Sequence, residues 1–395
     1  MKFLTFSGMK KKQGAQKSIH LWVPNLFEFK GGIQVYIQDF LRAIDTNLPN
    51  LAVSVFDKID RNLPAEISLD SHSFFFSGNF TGFWQTLHFA ANLVSAALIK
   101  RPSLIVCGHL NFAPVAFWIH RFTGIPYWII VYGVDAWNVK NLWKKKALQA
   151  AHKVISISEY TRNRLTEEQK IHAQKIPLLP VTFDANRFYI APKPDYLLKR
   201  YGLQVSQPII LTVCRLASSD FYKGYDQIIR SLPDIRSHFP NLHYILVGKG
   251  DDRPRVEQLI AQLNLQECVT LAGFVSDQEL CDHYNLCDVF AMPSKGEGFG
   301  IVYLEALACG KPTLGGNQDG AIDALCHGEL GALIDPDDVG EIAKILIQIL
   351  RGKYPNPIIY QPQTLRNKVI ETYGFERFTQ LLHHYFKDFF SAHPA

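Results

Sequence analysis

The chain has 395 residues, a length that predicts two domains and excludes one small module. Hydrophobic residues make up 47% and charged residues 19%, enough apolar side chain for sizeable cores and too little charge for disorder. The net charge of +5 would help at an anionic surface but is too small to imply nucleic-acid binding.

The N-terminus MKFLTFSGMKKKQGAQKS carries a short apolar run ahead of its lysines instead of behind them, and does not read as a signal peptide. The longest apolar windows, 112–120 and 125–131, fall well short of the ~20 residues needed to span a bilayer. Seven cysteines, odd in number, widely spaced and without a CxxC pair, argue against a disulfide framework or a zinc site. The expectation is a cytoplasmic protein in a reducing compartment, with peripheral contact at the inner face of a membrane left open.

Short β-branched or aromatic runs at 19–23, 53–56, 104–107, 127–131 and 154–157 alternate with helical patterns, which predicts buried parallel strands in a doubly wound half. Residues 175–207, with prolines at 177, 180, 192 and 194, have the composition of a connection. A second series follows at 209–213, 243–247, 269–271, 289–292, 312–314 and 332–334. The tail from 365 to about 390 reads as one aromatic-rich helix. The fold class is therefore α/β: two Rossmann-like domains, 1–190 and 200–365, facing a central cleft, with a helix at 366–395 returning to pack on the first domain.

Gly31 and Gly32 follow the first strand and precede a helix, either as a plain turn or where a ligand approaches the backbone. His109 follows the 104–107 strand and Asp135 the 127–131 strand; each suits a cleft, and each also suits a structural hydrogen bond or a helix cap. Lysines 140, 144–146 and 153 lie among Trp137, Leu142, Trp143 and Leu148, so the 137–153 helix could meet anionic lipid or be a solvated face. Arg215 and Lys223 follow the strand at 209–213. In LVGKGDDR, Gly248 and Gly250 fit a strand-to-helix turn capped by Asp251 or Asp252 as well as a ligand loop. Phe274 and Val275 precede Ser276 and Asp277, which are good N-caps. In the run MPSKGEGFGIVYLEALACGKPTLGG at 292–316, Glu297 sits in a glycine-bounded turn. Gly298, Phe299 and Gly300 then lead into a helix from Ile301 to Cys309. Such a start exposes N–H groups and a positive dipole end to a phosphate or sugar hydroxyl. Glu305 lies eight positions after Glu297, about 80° away on an ideal helix, so both carboxylates are expected to line one cleft. The acidic run at 335–338 reads as helix capping, and no metal ligand set is expected.

The arrangement Glu297-x7-Glu305 within EGFGIVYLEALACGKP resembles the signature of retaining GT-B glycosyltransferases of family 4, of the bacterial, cyanobacterial, exopolysaccharide or cell-envelope type. The resemblance is strongest over 205–340. It implies that Glu297 contacts donor-sugar hydroxyls, that the backbone at Gly298, Phe299, Gly300 and Ile301 holds sugar and diphosphate, and that Glu305 accepts from the ribose. Arg215 and Lys223, in LTVCRLASSDFYKGYDQII, would grip the diphosphate, across a loop longer than the family's common pattern. Gly248 and Gly250 would lie beside the nucleotide, and the backbone of Phe274 and Val275 would meet the base. Gly31 and Gly32 would face donor phosphate and acceptor, His109 the donor sugar, and Asp135 the acceptor. The implied reaction moves a hexose, glucose favoured, from a nucleotide diphosphate sugar, UDP favoured, to a glycan or lipid-linked hydroxyl. It would proceed without metal or cofactor and with closure about a hinge near 180–205. A UDP-sugar 2-epimerase-like enzyme and a catalytically silent GT-B binding protein are the competing readings.

Overall fold

The computed structural model describes residues 17–28, 31–64 and 72–393; the N-terminal run up to Gln16 lies outside the described residues. The first half comprises β1 (Ser18–Val23), α1 (Gly32–Asn47), β2 (Ala52–Asp57), β3 (His72–Phe76), α2 (Gly82–Lys100), β4 (Leu104–Cys107), α3 (Ala113–Thr123), β5 (Tyr127–Val131), α4 (Leu142–Ala150), β6 (Lys153–Ser156) and α5 (Glu159–Gln169). The second comprises α6 (Asp195–Tyr201), β7 (Ile209–Val213), α7 (Tyr225–His238), β8 (His243–Val247), α8 (Arg253–Gln262), β9 (Val269–Gly273), α9 (Asp277–Leu286), β10 (Val289–Met292), α10 (Ile301–Ala308), β11 (Thr313–Gly316), α11 (Ala321–Ala324), β12 (Ala332–Ile334) and α12 (Val339–Leu350). The tail forms α13 (Pro362–Tyr373) and α14 (Phe375–Ala392).

Each half is a six-stranded parallel sheet, ordered β3-β2-β1-β4-β5-β6 and β12-β11-β10-β7-β8-β9. Strands such as β4, β5 and β8 are buried along their whole length, the signature of a sheet covered on both faces. Strand order reverses between β1 and β4, and again between β7 and β10. Open α/β sheets form a crevice beyond the carboxyl ends of the strands at such points. The loops after β1, β4, β7 and β10 are therefore the ones positioned for chemistry.

β3 is the strand absent from the sequence reading. It pairs with β2 at the sheet edge, and its three consecutive phenylalanines are only half-buried, without the alternation or full burial that marks a strand. The connection also differs from a plain linker: Leu179, Val181, Phe183 and Phe188 are core residues, and 195–201 forms α6.

The tail is two helices, broken at Gly374, where an added Cβ would overlap the Ile370 carbonyl oxygen. α13 packs on α10, while α14 crosses back to α1. Phe378, Leu382, Phe386 and Phe389 form the buried stripe of α14, spaced at helical intervals. The three phenylalanine rings meet Tyr36, Phe40 and Trp128 of the first half. Each such ring contributes about 1.5–3 kcal/mol of burial, so this strap ties the two halves together.

Candidate active site

The loop after β7 is fixed against the loop after β10. Gly224 adopts a positive φ of 76°, and a Cβ there would overlap the Pro293 carbonyl. Lys295 N–H donates to the Tyr222 carbonyl at 2.8 Å. This stitching brings Lys223 and Glu297 together as an ion pair, each side chain only 13% exposed. Burial lowers the Lys223 ammonium below its ordinary value. Arg215 instead points into solvent and pairs with Asp220 at 2.9 Å, close enough to Lys223 for its charge to be felt there.

Behind Glu297 stands Asp319, a residue the sequence reading passed over. Its fully buried carboxylate accepts from Glu297 N–H at 2.7 Å and Ala321 N–H at 2.9 Å. Burial pushes it up to about 6, against the pull of backbone N–H donors and Lys223. Gly320 packs on the same turn and donates its N–H to the Glu297 carbonyl at 2.9 Å. The one signal in sequence was NQDG directly after a strand end.

The two glutamates do not share one helix. Glu297 precedes the helix, which begins at Ile301 after Gly300 (φ 90°), so the ideal-helix rotation does not relate them. Glu305 is instead buried in the second turn of α10, where it accepts from Tyr284 Oη at 2.7 Å. Phe299 is likewise a core side chain, stacked edge-on against Tyr373, so only its backbone can serve a ligand. Gly300, the N-cap of α10, supplies no side chain to the helix start, whose first-turn amides begin at Ile301.

Gly248 and Gly250 are required by packing, since a Cβ on either would overlap the carbonyl oxygen of Cys214 or Leu216. Capping by the following aspartates is not realised: Asp251 binds Ser218, and Asp252 binds Tyr225 and Arg255. Phe274 is an exposed ring covered by the Lys249 ammonium at 5.0 Å, and Val275 packs against the core. Ser276 is the N-cap residue of α9 but makes no side-chain cap bond among the described residues.

In the first half, Asp60 organises the loop that leads to Gly31 and Gly32, accepting from Leu26, Phe27 and Glu28 N–H at 2.7, 2.8 and 3.1 Å. A Cβ at Gly32 would meet nothing within 4 Å among the described residues, and one at Gly31 would meet only the Gln34 side chain. Packing of the described residues therefore leaves the Gly32 position open. His109 accepts the Asn111 N–H on Nδ1 at 3.1 Å, which leaves the proton on Nε2. Burial, helped by Lys144, lowers its pKa to about 4, so the ring is a neutral donor.

Asp135 caps a turn at the end of β5, accepting from Tyr132 N–H at 2.9 Å, and caps no helix. Its Oδ2 is buried without a partner among the described residues, and burial pushes the group up to about 7. The basic segment expected at 137–153 is helical only over Leu142–Ala150.

The halves meet at glycine. A Cβ on Gly298 would overlap the Tyr132 carbonyl, and one on Gly133 would come within 2.6 Å of the Gly298 Cα. Asp323 of the second half also accepts from Glu159 and Tyr160 N–H, at 3.2 and 3.0 Å, across the same boundary. Glu159, Asp323 and His327 cluster within 4.8 Å, where each Asp323 oxygen accepts one of those amides. The structure thus assembles Lys223, Glu297 and the Gly298 turn beside Tyr132 and Gly133.

Residues 30–187 match the model "Glycosyltransferase Family 4", and 197–368 match "Glycosyl transferases group 1". Each half thus matches a glycosyltransferase family model of its own. The Mycolicibacterium smegmatis GDP-mannose-dependent alpha-(1-6)-phosphatidylinositol monomannoside mannosyltransferase is 34% identical over 50% of this chain and 52% of its own length. The Agrobacterium fabrum mannosylfructose-phosphate synthase is 27% identical over 47% of this chain and 42% of its own. The chain thus spans about half the length of the curated relatives it matches. Among solved structures, sucrose-phosphate synthase from Thermosynechococcus elongatus superimposes with a TM-score of 0.78 at 21% identity, covering 95% of this chain and all of that one. Anabaena HepE in complex with UDP gives 0.75 at 19%, covering 94% and 100%. These neighbours establish the fold, the two-domain GT-B architecture.

Proposed function

We propose that this protein is a retaining glycosyltransferase that moves a hexose from a nucleotide diphosphate sugar to a hydroxyl of a glycan or lipid-linked acceptor in polysaccharide or cell-envelope synthesis. The observation that carries it is the sequestered Lys223–Glu297 pair, set at a strand-order reversal beside the seam of two glycosyltransferase domains. An arriving diphosphate competes with Glu297 for the ammonium. Lys223 and Arg215 turn to the phosphates, and the released carboxylate accepts from sugar hydroxyls. The same cations, with the first-turn amides of α10, stabilise charge growing on the leaving diphosphate. Neutral His109 donates its Nε2–H to the sugar from the opposite wall.

In this scheme the anomeric C–O bond to phosphate breaks as the acceptor oxygen bonds on the same face. The acceptor proton passes to the departing phosphate oxygen, so no carboxylate nucleophile is required. Positioning and charge stabilisation supply the acceleration.

UDP-glucose or another UDP-hexose is the donor we favour, in line with the HepE complexes with UDP and with UDP-glucose. A GDP-mannose donor is the second reading, favoured by the name of the 34%-identical relative. Calorimetric titration with UDP, GDP and ADP, with and without magnesium, separates the two. Transfer assays then follow the anomeric proton by NMR with and without acceptor. Turnover that needs no acceptor would replace transfer by epimerase-like chemistry, and failure to bind any nucleotide would overturn the proposal.

A further inference from the structure

Helices α2, α3 and α4 cover one face of the first sheet: their inward residues, Phe89, Leu93, Ala116, Ile119, Ala147 and Leu148, belong to one core cluster. α1 and α14 occupy the other cluster. The outward side of this three-helix layer should be polar, as on a solvated α/β protein. It is not.

Helix α2 carries no charged residue from Gly82 to Ile99. Trp84, Leu87, Val94 and Leu98 recur on its exposed face at helical spacing, opposite the buried Phe89, Leu93 and Ala97. Phe83 is 73% exposed, Trp84 67% and Ile99 81%. On α3, Phe122 is 79% exposed and stacks on Trp118, whose ring in turn meets Trp143 of α4 at 5.2 Å. Exposed large apolar side chains in this number on three neighbouring helices mark an interaction surface.

Charge identifies the partner. Residues 71–158 hold eight lysines and arginines against one acid, Asp135, a net +7 within a chain of net +5. Lys100, Arg101, Arg121, Lys140 and Lys146 are exposed on these helices or next to their ends, and Lys146 lies 4.9 Å from the Trp143 ring centroid. Two copies of such a face would repel each other, whereas an anionic bilayer supplies both an apolar interior for the side chains and counter-charge for the rim. No described helix is long and apolar enough to cross a membrane, so the contact lies along the surface.

We propose that the outer face of α2, α3 and α4 docks on an anionic lipid bilayer. The surface is centred on α2 and is wider than the basic segment around α4. The amino ends of α2 and α4 follow strand carboxyl ends, so docking sets the cleft edge of the first half beside the lipid. The proposal is independent of donor and acceptor chemistry.

The test is co-sedimentation of the full chain with vesicles of phosphatidylcholine alone and of phosphatidylcholine with phosphatidylglycerol, alongside light scattering for mass. Wild type should bind the anionic vesicles, with a blue shift of tryptophan emission, and not the neutral ones. Each surface cation is worth roughly a fivefold change in partitioning, so Lys145→Glu with Lys146→Glu should weaken binding at least tenfold. Phe83→Ser with Trp84→Ser should do likewise at an unchanged unfolding temperature. Equal binding to both vesicle types, binding that survives both double variants, or a stable dimer dispersed by Trp84→Ser would overturn the proposal.

Discussion

Replacing Lys223 with Met and Glu297 with Gln, singly and together, probes the pair on which the donor site is built. Unit charges about 4 Å apart interact by about 4 kcal/mol at an effective dielectric near 20. Both side chains are largely withdrawn from water. Desolvation takes back part of that attraction, which leaves an expected coupling of about 1.5–3 kcal/mol, above the ~0–1 kcal/mol of exposed pairs. Either single variant leaves one sequestered charge uncompensated and should cost about 3 kcal/mol, while the double variant should cost less than their sum. Urea unfolding of the four proteins measures the coupling. If the diphosphate captures Lys223, the coupling should fall below about 0.5 kcal/mol at saturating nucleotide. Additive single variants would mean that the two charges are not coupled, and a coupling that nucleotide leaves unchanged would make them a purely structural ion pair; either result refutes the reasoning.

Gly298→Ala places a Cβ on the Tyr132 carbonyl and should force the halves apart, lowering turnover at least 100-fold with a larger radius of gyration by X-ray scattering. Gly32→Ala meets open space, so unfolding should be unchanged while donor affinity falls. Glu305→Gln keeps an acceptor for Tyr284 Oη but loses the charge; nucleotide affinity should drop about tenfold by calorimetry, where a wild-type value would remove Glu305 from the site. Asp135 has a folded pKa near 7 against 3.8 when unperturbed, so the folded state holds the extra proton between those values. Its contribution to stability is therefore lost as pH rises through about 7. Asp135→Asn, which keeps the bond to Tyr132 N–H, should raise the unfolding temperature above pH 7 and flatten its pH dependence.

Strands buried on both faces, such as β4 and β8, were legible because a run of apolar, β-branched residues has few other places to go. The glycine-rich turn before α10 was legible for a similar local reason, since helix starts and tight turns are written in neighbouring residues. β3 was not, because an edge strand half-open to water needs no such pattern. The break at Gly374 was hidden by an amphipathic stripe that continues on both sides of it.

The residues that fall after strands could be read from the chain alone: Gly31, His109, Arg215, Lys223 and Glu297 all follow strands, and parallel topology gathers those ends on one edge. Which of them touch one another is set by packing between distant segments. Lys223 reaches Glu297 across 74 positions because Gly224 lets its loop lie on Pro293, and Asp319 holds Glu297 from yet another strand end. Gly298 has no room for a Cβ because of a carbonyl in the other half, and the apolar side of α2 is left outward because the sheet claims only one face of that helix. Periodicity and turn chemistry are local, whereas each of these contacts depends on how two sheets and a returning helix stack.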